Sequence, residues 1–182
     1  DGSEPGADTG QFYFGPLRIT NTTMLRAAAF KTNFLPSRVG THSYFYNQSA
    51  GIRSLPVISI VTASNNLIGP TGIIGISTNP PNIYHNPTQH GVAWERPTSV
   101  EFIEPADNSR FQIDCGIRVH GSDYQRPRTT PDSKFSFRLY FRGSYGFGRL
   151  EYPLFPLSTA REFNQIVLRA GFNDPYNPFI RD

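Results

Sequence analysis

Between Cys115 and Arg142 the chain gathers residue types that can handle a phosphate. Cys115-Gly116-Ile117-Arg118-Val119-His120-Gly121-Ser122 alternates in the two-residue rhythm of a strand, and a loop rich in Arg and Pro follows. Ser133-Lys134-Phe135-Ser136-Phe137-Arg138-Leu139-Tyr140-Phe141-Arg142 then returns in the same rhythm, opened by a lysine. A strand, a glycine-started polar loop whose backbone can approach an anion, and a return strand carrying a cation make a hairpin able to cover the phosphates of a nucleotide. Any antiparallel hairpin with one wet face also alternates Arg with Phe, so the pattern alone leaves both readings open.

Other reactive residue types are thinly spread. Cys115 is the only cysteine, which excludes an internal disulfide and zinc sites built on cysteine pairs. Its place in an apolar alternation reads as a buried small hydrophobe. His42, His85, His90 and His120 lack metal-ligand spacing, and His85 and His90 read as solvated loop residues. Glu95, Glu101 and Glu104 lie around one strand, but the change from odd to even sends them to different faces, which argues against a carboxylate pair for acid–base work. A net charge of +3, with arginines scattered and no basic run, argues against a nucleic-acid partner. Lys31 and Lys134 are the only lysines, which draws attention to Lys134, although a compositional bias explains the scarcity equally well. No apolar stretch is long enough to span a membrane, so no membrane insertion is expected.

The elements that must position these residues are β-strands. Sixteen Gly and sixteen Pro interrupt the chain too often for a long helical pattern, while 37% hydrophobic and 14% aromatic residues suffice for a packed core. Gln11 to Phe14, Thr23 to Lys31 and Val39 to Tyr46 are β-patterned runs, and Asn47 to Gly51 is linker-like. Leu55 to Thr62 is a continuous β-branched run that reads as a central strand. Residues 63–93 form a long Asn- and Pro-rich segment expected to be a functional or mobile loop. Trp94 to Ile103, Phe111 to His120 and Lys134 to Phe141 form an expected antiparallel meander with a turn at Pro105-Ala106-Asp107-Asn108. Ala160 to Phe163 reads as a helical turn and Gln165 to Arg169 as a further strand.

In order along the chain, Leu55 to Thr62, Trp94 to Phe102, Gly116 to Gly121, Phe135 to Arg142, Tyr152-Pro153-Leu154-Phe155 and Val167-Leu168-Arg169-Ala170-Gly171 resemble the N-terminal part of the CotH kinase family, atypical secreted protein kinases named for a bacterial spore-coat protein. The resemblance covers roughly residues 52–182. Asp1-Gly2-Ser3-Glu4-Pro5, Tyr13 to Ile19, Thr22 to Phe30 and Ser37 to Tyr46 resemble the second half of a chitobiase/hexosaminidase C-terminal-type module, an immunoglobulin-like sandwich. The expected fold is therefore mainly β, a partial immunoglobulin-like sandwich over 1–47, a linker over 48–54, and over 55–182 a kinase-N-lobe-like antiparallel sheet with little helix.

The resemblance implies ATP and Mg2+ as cofactors of a parent protein located outside a bacterial cell or on its surface, with a surface protein as substrate. It places Lys134, Gly121, Ser122 and Arg118 against ATP phosphates, and Arg169, Asn173 and Asp174 along the cleft. For Lys134 the alternative is an exposed lysine at a strand start, and for Arg169, Asn173 and Asp174 a turn with Asn/Asp chemistry. Asp123 and Pro127 depart from the small residues expected in the loop, which puts close phosphate approach in question. The acceptor-orienting base and the magnesium ligands are expected beyond Asp182, so this stretch is not expected to be catalytic alone. The alternative function is a non-catalytic extracellular structural, adhesive or filament-forming module that self-associates through exposed strand edges. The first 46 residues, with apolar Phe12, Phe14, Leu25, Ala27, Ala29 and Phe45, are expected to find a packing partner.

Overall fold

The computed structural model describes residues 2–121 and 134–170. Of the candidate ligand contacts, Ser122, Asn173 and Asp174 lie outside the described residues. The chain is mainly β, with 34% strand against 9% helix, and its sheets are antiparallel. In order it forms β1 (Thr23–Ala27), β2 (Gly40–Tyr44), α1 (Ala50–Arg53), β3 (Val57–Val61), α2 (Ser64–Leu67), β4 (Ile76–Ser77), β5 (Tyr84–His85), β6 (Arg96–Ile103), β7 (Arg110–His120), β8 (Ser136–Tyr140), β9 (Leu150–Glu151), β10 (Glu162–Phe163) and β11 (Gln165–Leu168). The main sheet has the order β11-β8-β7-β6-β3, and β1-β2, β4-β5 and β9-β10 are separate two-stranded ribbons. The expected meander of β6, β7 and β8 in one sheet is thus present. Two compact units share the chain, residues 1–63 with 99–113, and residues 64–98 with 114–182.

In the first unit, β3 pairs antiparallel with β6 from Val57 opposite Ile103 to Val61 opposite Ser99. This register puts Ser59, Ser99 and Glu101 on one face, where all three are buried. The β1–β2 hairpin packs there through polar groups: the Ser43 N–H donates to Glu101 Oε2 at 2.6 Å, and the Ser43 hydroxyl to Ser59 Oγ at 2.7 Å. The β6–β7 turn is closed by the Ser109 N–H donating to the Asp107 carboxylate at 2.8 Å and by Asn108 at φ 58°, a left-handed conformation that Asn tolerates.

Three expectations are corrected in this unit. Gln11 to Phe14 forms no strand, and Phe12 and Phe14 stay 81% and 94% exposed, because no neighbouring backbone offers them a ladder. β1 ends at Ala27 and does not run on to Lys31, since Ala27 pairs with Gly40, the first residue of β2, and the chain then turns at Lys31 to Phe34. β3 is an edge strand of its sheet and not a central one. The β1–β2 hairpin reaches β3 through the Ser43–Ser59 hydrogen bond, and Ile58 stays 42% exposed, so the β-branched run does not require a strand on either side.

In the second unit, residues 63–93, expected as a functional or mobile loop, prove to be a packed segment from Ser64 onward. The Asn86 amide donates to the carbonyls of Gly72 at 2.8 Å, Pro70 at 2.9 Å and Gly69 at 3.3 Å. That single buried side chain satisfies a turn of backbone that has no ladder of its own, and Ile73 is fully enclosed beside it. Ala160 to Phe163, expected as a helical turn, instead contributes β10, whose Glu162 pairs with Arg149 across from β9. β7 and β8 pair from Gly116 opposite Tyr140 to His120 opposite Ser136, and β8 and β11 from Phe137 opposite Leu168 to Tyr140 opposite Gln165. Cys115, Ile117, Val119 and Leu139 fill the buried face of this part of the sheet, with Phe141 beyond the end of β8. The other face is left to the even-numbered residues.

Candidate anion-binding site

Strand alternation and register together build a cationic face. Residues 116, 118 and 120 of β7 share one side with 136, 138 and 140 of β8, and Arg118 stands directly opposite Arg138. Like charges in that relation repel, and among the described residues neither arginine has a carboxylate partner. Arg118 donates to the Tyr140 hydroxyl and lies over its ring at 5.0 Å, while Arg138 donates to the Gln165 side-chain oxygen at 3.3 Å. Among the described residues, the Nε–H groups of both arginines are buried with nothing to donate to. A buried donor without an acceptor is costly, the more so on a cation. Two such donors on residues opposite each other in one strand pair are of the kind that an oxyanion satisfies.

Arg169 follows β11, where the Ala170 N–H donates to Ser136 Oγ at 3.0 Å, so the arginine enters the same neighbourhood. His120 feels the result. Burial holds its imidazole below the usual histidine value, and Arg138, Arg118 and Arg169 each push it further down. Gly121 leaves β7 at φ +74°, a left-handed conformation that suits glycine and turns the chain out of the sheet. Lys134 is exposed, two residues before β8 and at the His120 end of the face.

The face thus brings together Arg118 and Arg169, with Gly121 and Lys134 at its rim. Arg138, His120 and Tyr140 belong to it as well and were not singled out from the sequence. Equal parity across the β7–β8 register is the signal for Arg138, but it becomes readable only when the pairing is known. Glu95 and Glu101 are both buried, and each is committed to its own partners. Glu95 receives two hydrogen bonds from Arg142 at 2.9 Å and one from the Tyr145 hydroxyl at 3.4 Å. Arg142 is thereby held above its ordinary value, and Tyr145 is raised by burial and by the Glu95 charge. Glu101 has the Ser43 N–H, with His42 Nδ1 at 3.8 Å. Cys115 is fully buried, and burial, reinforced by Asp114, pushes its thiol up to about 12.

This arrangement can bind and orient an anion. Among the described residues no group of three or more His, Cys, Asp and Glu is placed to hold a metal ion, and no helix is long and apolar enough to cross a membrane. No family model matches the chain, and neither a curated protein nor a solved structure matches it.

Proposed function

We propose that this chain is the nucleotide-covering part of a CotH-like atypical protein kinase, secreted or displayed on a bacterial surface, and that the β7–β8–β11 face receives the phosphates of ATP. The observation that carries the reading is the opposed Arg118–Arg138 pair, whose two buried Nε–H donors have no partner among the described residues. Guanidinium groups suit phosphate because their donors match its oxygens in geometry and charge. ATP, when bound, supplies a transferable phosphoryl group. The chain's part is to bind and orient it: Arg118, steadied by the Tyr140 hydroxyl and ring, and Arg138, steadied by Gln165, offer donors from neighbouring strands. The described residues do not fit magnesium, since no carboxylate-containing group converges on the face.

Titration calorimetry with ATP and with inorganic triphosphate tests this. Arg138→Gln and Arg118→Gln are each expected to weaken both ligands by about tenfold or more, as the loss of one charge-assisted contact implies. Unchanged affinity in both variants would overturn the reading. A second reading, a non-catalytic extracellular adhesive module, is favoured by the exposed aromatic run Phe12, Tyr13 and Phe14, and it gains if neither ligand binds.

A further inference from the structure

Resting on that anion-binding reading, we infer that oxyanion binding at the β7–β8–β11 face is proton-linked through His120: the face takes up a proton with its ligand and grips the ligand more tightly in mildly acidic solution. The basis is position. His120 lies on β7 two residues from Arg118 and on the same side, opposite Ser136 and diagonal to Arg138. From β7 it is faced by Arg118, from β8 by Arg138 with Lys134 just beyond that strand, and from the end of β11 by Arg169. The carboxylate on the same side of β7 is Asp114, six residues away and so about 20 Å along the strand. Among the described residues of these strands, nothing anionic stands close enough to favour an imidazolium.

Without ligand, a protonated His120 would add a further cation to three guanidinium groups in a half-buried setting, so the neutral form prevails near neutrality. A bound dianion reverses the balance, because its charge offsets the guanidinium groups and adds an attraction to the imidazolium. The liganded state therefore holds more protons than the free state. Affinity must then rise as pH falls, by no more than about tenfold per pH unit for one proton, and level off once His120 is protonated in both states. The same coupling lets a more acidic medium load the face and a neutral one release it.

Sulfate is the probe of choice, since it does not titrate in this range and separates the protein's proton from that of a phosphate. Its affinity for the 182-residue chain is expected to rise about tenfold between about pH 8 and about pH 5.5, the effect of roughly one added charge near the ligand. His120→Gln should reduce that change to about twofold or less, and Arg138→Gln should weaken sulfate at every pH. In the unaltered protein, NMR titration of the His120 ring should show its midpoint move up when sulfate is added. A pH slope retained in His120→Gln, or a ring midpoint indifferent to sulfate, overturns the linkage while leaving the anion site standing. Sulfate binding indifferent to Arg138→Gln, or absent at every pH, overturns the site and the linkage together.

Discussion

Removing Arg142 should cost this protein more than removing the carboxylate it holds. Glu95 has a fully buried side chain, whereas that of Arg142 is 44% exposed. Arg142→Met leaves the carboxylate enclosed with only the Tyr145 hydroxyl at 3.4 Å, while the Met stem still covers the Tyr140 ring, over which the guanidinium sat at 5.0 Å. Stripping one partner from a buried ion pair costs about 3–5 kcal/mol, and partial solvent screening of Arg142 puts this case near about 3 kcal/mol. Glu95→Gln instead leaves a cation that water can reach and an amide that still accepts one of the two guanidinium hydrogen bonds, for a cost of about 1–2 kcal/mol.

At about 2–4 °C per kcal/mol for a chain of this size, Arg142→Met should melt about 6–12 °C lower and Glu95→Gln about 2–8 °C lower. The double variant should be less damaged than the sum of the two, because no charge is then buried alone, with a coupling of about 1–2 kcal/mol. Chemical and thermal denaturation of the four proteins measures all of this. Arg142→Met no worse than Glu95→Gln, or strictly additive costs, would refute the assignment of Glu95 as a buried, ionised anchor.

Gly116→Ala places a methyl group 2.5 Å from the Tyr145 ring, whose hydroxyl is tied to Glu95, so a loss of about 1–3 kcal/mol is expected in denaturation; a neutral result would show that Tyr145 is free to move aside. The Cys115 thiol, buried and pushed up to about 12, is expected to ignore a disulfide reagent at about pH 8 in the native protein and to react fully once unfolded. Rapid native modification would contradict the packing of β7.

The long strands were legible because each carried a two-residue alternation bounded by recognisable turn chemistry, as at Pro105-Ala106-Asp107-Asn108 between β6 and β7. What the sequence withheld was register. Arg118 and Arg138 each look like ordinary outward-facing strand residues until the ladder sets them opposite each other. Residues 63–93 misled because much of their order comes from contacts without a period, such as the Asn86 side chain holding three carbonyls and the Ile73 and Ile74 N–H groups donating back to Asn66 and Leu67. The Glu95–Arg142 pair spans 47 residues and joins the residue before β6 to one just beyond β8, a contact that no local pattern encodes. β3 shows the converse limit: its β-branched run reads as a central strand, yet it stands at the edge of the sheet with Ile58 42% exposed, because β-branched residues suit a half-buried pleated strand at an edge as well as in the middle.

An opposed arginine pair persists in this sheet because the register is fixed from its other side. Sliding β8 by one residue along β7 would turn Leu139 out of the core and Arg138 into it, at a cost far above that of the repulsion between Arg118 and Arg138. The apolar residues Cys115, Ile117, Val119 and Leu139 thus impose the placement of the cations. Tyr140 is shared by two arginines of different standing. Arg142, over its ring, is neutralised by the buried Glu95 and is committed to structure. Arg118 leans on the same ring and on its hydroxyl with no carboxylate among the described residues, across from an equally uncompensated Arg138. One arginine holds the framework, and two are held by it with an Nε–H that no described residue accepts. This asymmetry points to Arg118 and Arg138, and not Arg142, as the groups whose replacement should change ligand affinity more than stability.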